Sequence, residues 1–154
     1  MKDIKVEAND RAVLIFDDKP LRREAYVSLL TPWASKQKLR IIARDILIEE
    51  SLSGDAAIIV ISAGSRSITE LRLRGELWSI LPDAPPAVVI SDLDDPTEIA
   101  AALKLGVRGF VPTALTAELA LNTLTFVLSG GEFFPVSALQ PRSDPGSPRG
   151  DDSQ

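Results

Sequence analysis

The chain has 154 residues, of which 45% are hydrophobic and 25% are charged, so it can bury one substantial core and is predicted to form a single globular domain with a tail. Its formal net charge of -5 argues against direct binding of nucleic acid, because phosphate contacts need a concentrated basic face. Cysteine and histidine are both absent, which excludes disulfides, thiolate and imidazole metal sites, a phosphohistidine relay and a Ser-His catalytic arrangement.

Residues 1–10 are predicted to be an N-terminal extension. This segment is charged and lacks the apolar centre of a signal peptide. No run elsewhere approaches the roughly 20 apolar residues that a membrane-spanning helix needs. We therefore expect a cytoplasmic protein without a membrane partner.

Two adjacent acidic residues follow the first predicted strand. The strand Ala12–Phe16 is a continuous apolar run, as is typical of a buried parallel strand, and Asp17 and Asp18 come directly after it. Open α/β sheets bind ligands at this end of their strands, and a hard cation such as Mg²⁺ would compensate the two carboxylates. The alternative is that Asp17 or Asp18 caps the helix that follows. Both interpretations remain open from the pair alone.

The first helix is predicted to begin near Pro20 and to end or kink at Pro32. A strand over residues 39–43 and a short second helix over residues 45–51 should follow. The expected core stripe of the first helix is Tyr26, Leu29, Leu30 and Trp33.

Three more apolar runs predict strands over residues 56–61, 87–90 and 107–111. The helix between the first two has the stripe Leu73, Leu77, Ile80 and Leu81 and includes Trp78, which, like Trp33, is expected in or beside the core. The next helix should begin at the signal Asp95-Pro96-Thr97-Glu98 and end at Gly106. Its inward residues are expected to be Ile99, Ala102 and Leu103.

The last helix carries apolar residues on two sides. Leu119 and Phe126 lie near Asn122 and Thr123, away from the sheet-facing stripe, and these four residues form a candidate partner surface. The alternative is that the helix packs under Phe133 and Phe134. The expected sheet-facing stripe is Ala117, Ala120, Leu121, Leu124, Val127 and Leu128.

The alternation of strands and helices, repeated about five times, resembles the receiver domain of two-component response regulators. The family's acid pair would be Asp17 and Asp18, its phosphate-sensing residue after the fourth strand Ser91, and its switch aromatic Phe110. Residues 129–135, with the sequence SGGEFFP, look like the exit segment of LuxR/NarL-type regulators. The resemblance implies a flavodoxin-like, doubly wound α/β fold with a five-stranded parallel sheet of order 2-1-3-4-5 and helices on both faces.

The domain boundaries follow from this resemblance. Residues 11–129 would be the receiver-like domain, residues 130–140 the exit segment, and residues 141–154 a disordered tail or linker without large apolar residues. In the family, a DNA-binding domain follows such a linker, so DNA would be bound only through a domain absent from this chain.

Two departures from the family pattern affect the same chemistry. The phosphoacceptor aspartate position falls on Ser62, and the lysine that neutralises the phosphoryl group falls on Thr113. The resemblance therefore implies an atypical receiver that cannot be phosphorylated. Without a positive partner, one of the two carboxylates of Asp17 and Asp18 should have a raised pKa unless it caps the first helix.

The predicted function is that of a non-catalytic regulatory module of a bacterial transcriptional regulator. It would act by protein contact or as a homodimer, with a sensor kinase or another regulatory protein as possible partner, and with no cofactor and no metal. The alternative is a metal- or ligand-binding sensor that uses Asp17, Asp18 and the acidic loop after Ser91. An enzyme is the least favoured class, because no base is placed beside Ser62.

Overall fold

The computed structural model describes residues 11–45, 55–71 and 84–135. The predicted N-terminal extension, the second helix beyond its first residue, the helix that contains Trp78, and the tail lie outside the described residues.

The described strands form a five-stranded parallel sheet in the order β2-β1-β3-β4-β5. This confirms the predicted fold class and strand order. The strands are β1 (Ala12–Phe16), β2 (Arg40–Arg44), β3 (Ala56–Gly64), β4 (Ala87–Ser91) and β5 (Gly109–Pro112). The strand boundaries agree with the prediction to within two residues, except that β3 continues three residues beyond Ile61, so its carboxyl end includes Ser62 and Gly64.

The described helices are α1 (Pro20–Lys36), α2 (Pro96–Leu105) and α3 (Ala117–Leu128), with a 3₁₀ helix at Ile68–Leu71. Successive side chains of the central strands enter two separate apolar cores, as expected for a sheet covered on both faces. In β1, for example, Leu14 packs in one core and Val13 in the other.

Helix α1 runs past Pro32, so of the two predicted outcomes, an end or a kink, the end is wrong. Proline removes one backbone hydrogen bond, but Pro32 and Ser28, whose carbonyl loses its partner, are both exposed, and water can satisfy that carbonyl. Leu30 and Trp33 are buried as expected, whereas Leu29 is 39% exposed and lies outside the core.

Helix α2 begins and ends at the predicted signals. The Asp95 side chain accepts a hydrogen bond from the Glu98 N–H, and Gly106 ends the helix with a φ of 88°. Ile99 and Ala102 are buried, but Leu103 is 44% exposed, which corrects its predicted inward position.

Helix α3 packs on the sheet through Leu124 and Val127, and Leu119 and Phe126 lie outside this stripe with about half of each side chain exposed. Two predictions for this helix are wrong: Ala117 is exposed, and Thr123 is buried, so Thr123 does not belong to an exposed partner surface. The Thr123 hydroxyl donates to the carbonyl of Leu119 one turn earlier, which satisfies it inside the core.

The exit segment runs beside β5. Phe133 forms a parallel bridge with Gly109, its carbonyl accepts from the Phe110 N–H, and its N–H donates to the Arg108 carbonyl. Phe134 is partly buried and packs against the core that contains Phe110.

Candidate functional site at the carboxyl edge of the sheet

The predicted site residues meet at the carboxyl edge of the sheet. β1 pairs Phe16 with Ile61, so Asp17, directly after β1, and Ser62 of β3 occupy the next positions along the two chains. β3 pairs Gly64 with Ser91, which brings the end of β4 to the same edge.

Asp17 is held by an arginine of helix α1. Arg22 donates from Nε to one carboxylate oxygen of Asp17 at 2.6 Å and from Nη2 to the other at 2.8 Å. The Asp17 side chain is fully buried, while that of Arg22 keeps 32% of its surface exposed. Such charge-assisted bidentate hydrogen bonds are shorter and stronger than bonds between neutral groups.

The helix-cap alternative for the acid pair is wrong. Lys19 occupies the cap position of α1, and its side chain makes no capping hydrogen bond. Asp17 instead accepts a 2.9 Å hydrogen bond from the Lys19 N–H, two residues ahead, which closes a local turn before the helix.

The pKa of Asp17 is lowered from its ordinary value. Burial by itself would raise this pKa, but hydrogen bonds from Arg22 and the Lys19 N–H, the nearby Ser62 hydroxyl and the charge of Arg22 together outweigh burial. The same pairing raises the pKa of Arg22. The prediction of a raised pKa is therefore wrong for Asp17. It assumed that the pocket has no positive group, because the family's lysine is missing, but Arg22 supplies that charge.

Arg22 also covers the end of β3. Gly64 has a φ of +62°, and a Cβ atom built on it would lie 2.0 Å from Nη1 of Arg22. Only glycine leaves room for the guanidinium here. The chain thus combines a left-handed glycine and an arginine to place a cationic group over the strand end that carries Ser62.

The second acid of the pair, Asp18, is more exposed and has its own arginine. Arg66 donates from Nη1 to Asp18 at 2.7 Å, and the two side chains are 43% and 42% exposed. Arg22 lies 3.9 Å from Asp18 as well. The two carboxylates are therefore compensated by two arginines within the chain.

The Ser62 hydroxyl is buried and, among the described residues, has no hydrogen-bond partner of regular geometry. It nevertheless lies close to Asp17 and Tyr26 and contributes to lowering the pKa of Asp17. The pKa of Tyr26 is raised, because burial of its hydroxyl outweighs the opposing effect of Ser62.

The switch-equivalent and lysine-equivalent residues lie at the ends of β4 and β5. The buried Ser91 hydroxyl accepts from the Leu93 N–H, and Phe110 is fully buried in β5. Thr113 follows β5 and donates from its hydroxyl to Asp92 at 2.8 Å. A threonine at this position therefore contacts an acid at the edge without adding charge.

The acidic loop after β4 does not complete a cation site. Asp92 accepts from Thr113, and Asp95 caps α2. Within residues 11–45, 55–71 and 84–135, no three acidic side chains converge in a way that could hold a metal ion.

Sequence comparison identifies no relative: no family model matches the chain, and no curated protein does. Comparison of structures does find neighbours. A CheY-like response regulator from Mesorhizobium loti is 15% identical with a TM-score of 0.58, and the match covers 77% of this chain and 98% of the other. A LuxR family DNA-binding response regulator from Silicibacter pomeroyi is 21% identical with a TM-score of 0.60, and 82% and 98% are covered.

A third neighbour was determined with a phosphoryl analogue. The isolated receiver domain of RcsB from Salmonella enterica serovar Typhimurium, in the presence of phosphomimetic BeF₃⁻, is 17% identical with a TM-score of 0.61, and 85% and 97% are covered. This chain has the fold of a response-regulator receiver domain. In this receiver fold, no described helix is long and apolar enough to cross a membrane.

Proposed function

We propose that this receiver-fold chain is a non-catalytic signalling module that works without aspartate phosphorylation, as part of a LuxR/NarL-type transcriptional regulator. The observation that carries the proposal is the bidentate Arg22–Asp17 pair lying over Gly64. It puts a permanent guanidinium where a phosphorylatable receiver would need a divalent cation and a phosphoryl group.

The chemistry of acyl phosphate formation supports this proposal. The reaction needs a carboxylate nucleophile, a cation held beside it and a positive group that neutralises the transferred charge. Ser62 offers a hydroxyl whose neighbouring carboxylate, Asp17, is bound by Arg22 and is therefore a weak base, and Thr113 offers no charge. Arg22 is already engaged by Asp17, so it would have to leave a buried carboxylate before a cation could enter.

The proposal does not extend to a metal sensor. Asp17 and Asp18 are each paired with an arginine, and Asp92 and Asp95 after β4 bind other groups of the chain. A divalent cation would have to displace these partners and would meet two positive charges at the edge.

Adding Mg²⁺ and BeF₃⁻ tests the proposal. Anything that binds the folded chain raises its melting temperature, so the melting temperature should stay unchanged with Mg²⁺ alone and with both additives. A receiver with an acceptor aspartate, run in parallel, should be stabilised. A dose-dependent rise in this chain would refute the proposal.

We also propose that the module forms a homodimer through helix α3. Its further partners would be a kinase or another regulatory protein, and DNA through a linked domain. Leu119 and Phe126 expose 50% and 53% of their surface, and Asn122 lies exposed between them. Regulators of two-fold DNA sites need a symmetric pairing surface.

Leu119→Lys is the appropriate test of this surface, because Phe126 also lies against Gly131 of the exit segment and its loss could disturb that contact. We expect the wild-type chain to sediment as a dimer and the variant as a folded monomer. Leu103→Lys, a similarly exposed leucine on α2, is the control and should remain dimeric. A wild-type chain that is monomeric at high concentration would contradict the dimer.

A further inference from the structure

Residues 65–71, which we call the linking segment, follow β3 and contain the 3₁₀ helix. One end of this segment is bound to the acid pair: Arg66 donates from Nη1 to Asp18 at 2.7 Å. The same guanidinium donates from Nη2 to the Glu70 carbonyl at 3.2 Å, so the ion pair and the turn of the segment share one side chain.

The next two residues of the linking segment, Ser67 and Ile68, are bound to α2 through Glu98. Asp95 and Glu98 have the spacing of a capping box, in which the glutamate would reach back to the N–H of its own cap residue. Here the Glu98 carboxylate crosses to the segment instead, accepting from the Ile68 N–H at 2.8 Å and from the Ser67 hydroxyl. Glu98 is only 8% exposed, so these partners satisfy a buried carboxylate.

The linking segment itself is held as one unit. Ile68 is 1% exposed and packs in the core that contains Phe110. The Glu70 carboxylate accepts from the Ser67 N–H at 3.1 Å. A displacement of Arg66 would therefore be passed to Ser67 and Ile68, which are the donors to Glu98.

We propose that the linking segment couples the Asp18–Arg66 ion pair to the order of the first turn of helix α2. In this device Glu98 is a positioning residue that holds the segment so that Arg66 meets Asp18. A partner that binds Asp18 or Arg66 would loosen the Glu98 contacts, and by linkage a partner that moves α2 would weaken the Asp18–Arg66 pair. The coupling does not depend on whether the chain accepts a phosphoryl group.

Amide hydrogen exchange of Ile68 measures this coupling, because its N–H donates to Glu98 of α2 and makes no contact of its own with Asp18. Asp18→Asn and Arg66→Gln should each accelerate exchange at Ile68 by roughly 2–5-fold, the size expected from loss of a partly exposed ion pair. The first-turn amides of α2 should accelerate together with it.

Asp92→Asn is the matched control, because this carboxylate lies at the same edge of the sheet but accepts from Thr113. It should leave the exchange rate of Ile68 unchanged. In the reverse direction, Glu98→Gln should increase the mobility of the Arg66 guanidinium in ¹⁵N relaxation. An Ile68 rate that is the same in Asp18→Asn, Arg66→Gln and wild type, or that changes equally in Asp92→Asn, would overturn the coupling.

Discussion

Replacing Arg22 by glutamine is expected to lower the free energy of unfolding by about 2–4 kcal/mol at neutral pH, because it leaves a buried carboxylate without its charged partner. The Asp17 side chain has no exposed surface and receives two hydrogen bonds from Arg22. Glutamine can donate at most one of them and carries no charge. Urea unfolding, with the slope compared between variants, measures the loss.

Arg23→Gln provides the control for this substitution. Arg23 also contacts Asp17, but it donates to the backbone carbonyl at 2.8 Å and leaves the carboxylate paired with Arg22. Its replacement should cost less than about 1 kcal/mol, as is usual for a partly exposed hydrogen bond. Equal losses in the two variants would contradict a special role for the Arg22–Asp17 pair.

The pH dependence of the stability of the wild-type chain and of Arg22→Gln gives an independent test of the Arg22–Asp17 pair. Because the pKa of Asp17 is lowered in the folded chain, its contribution to stability is present above the unfolded pKa of about 3.9 and is lost as the pH falls through the folded pKa. In Arg22→Gln, burial without the cation should raise the pKa of Asp17 and destabilise the chain as the pH rises through that value. The difference in stability between wild type and variant should therefore shrink in acid, and a difference independent of pH would contradict this assignment.

A second large effect, on Mg²⁺ binding, is expected when the acceptor aspartate and the lysine of a phosphorylatable receiver are introduced. The triple variant Arg22→Ala, Ser62→Asp and Thr113→Lys should bind Mg²⁺, because it opens the space over Gly64 and gives Asp17 and Asp18 a third carboxylate. At a Mg²⁺ concentration of about one hundred times its dissociation constant, the melting temperature should rise by roughly 5–10 °C relative to EDTA.

The double variant Ser62→Asp and Thr113→Lys is the comparison that isolates Arg22. It has the same restored residues but keeps the guanidinium bound to Asp17, so its response to Mg²⁺ should be clearly weaker. Equal responses of the double and triple variants would mean that Arg22 does not compete with the cation.

The fold was predictable from the sequence because its signals are local. The continuous apolar run Ala12–Phe16 marks a strand covered on both faces, and Asp95, Pro96 and Gly106 mark the ends of α2 by backbone chemistry. Predictions failed where solvent exposure decides the outcome. Pro32 is tolerated inside α1 because it faces water, a property that its own neighbours in the sequence do not encode.

The candidate site was predictable only in part. Asp17, Ser62 and Ser91 could be placed at one edge because parallel strands end together. The compensating arginines were missed, although Arg22, five residues after Asp17 in the first turns of a predicted helix, was a local signal that could have been used. Arg66 could not be assigned in this way, because its contact with Asp18 spans 48 residues and depends on the turn after β3.

The most direct test of the central claim is the intact mass of the wild-type chain after incubation with acetyl phosphate and Mg²⁺, with a receiver that has an acceptor aspartate run in parallel. The Asp17 carboxylate beside Ser62 is bound by Arg22, and Arg22 covers the strand end above Gly64, so the mass of this chain should not change. The comparison receiver should gain one phosphoryl group. A phosphoryl adduct on Asp17, Asp18 or Ser62 would contradict the account.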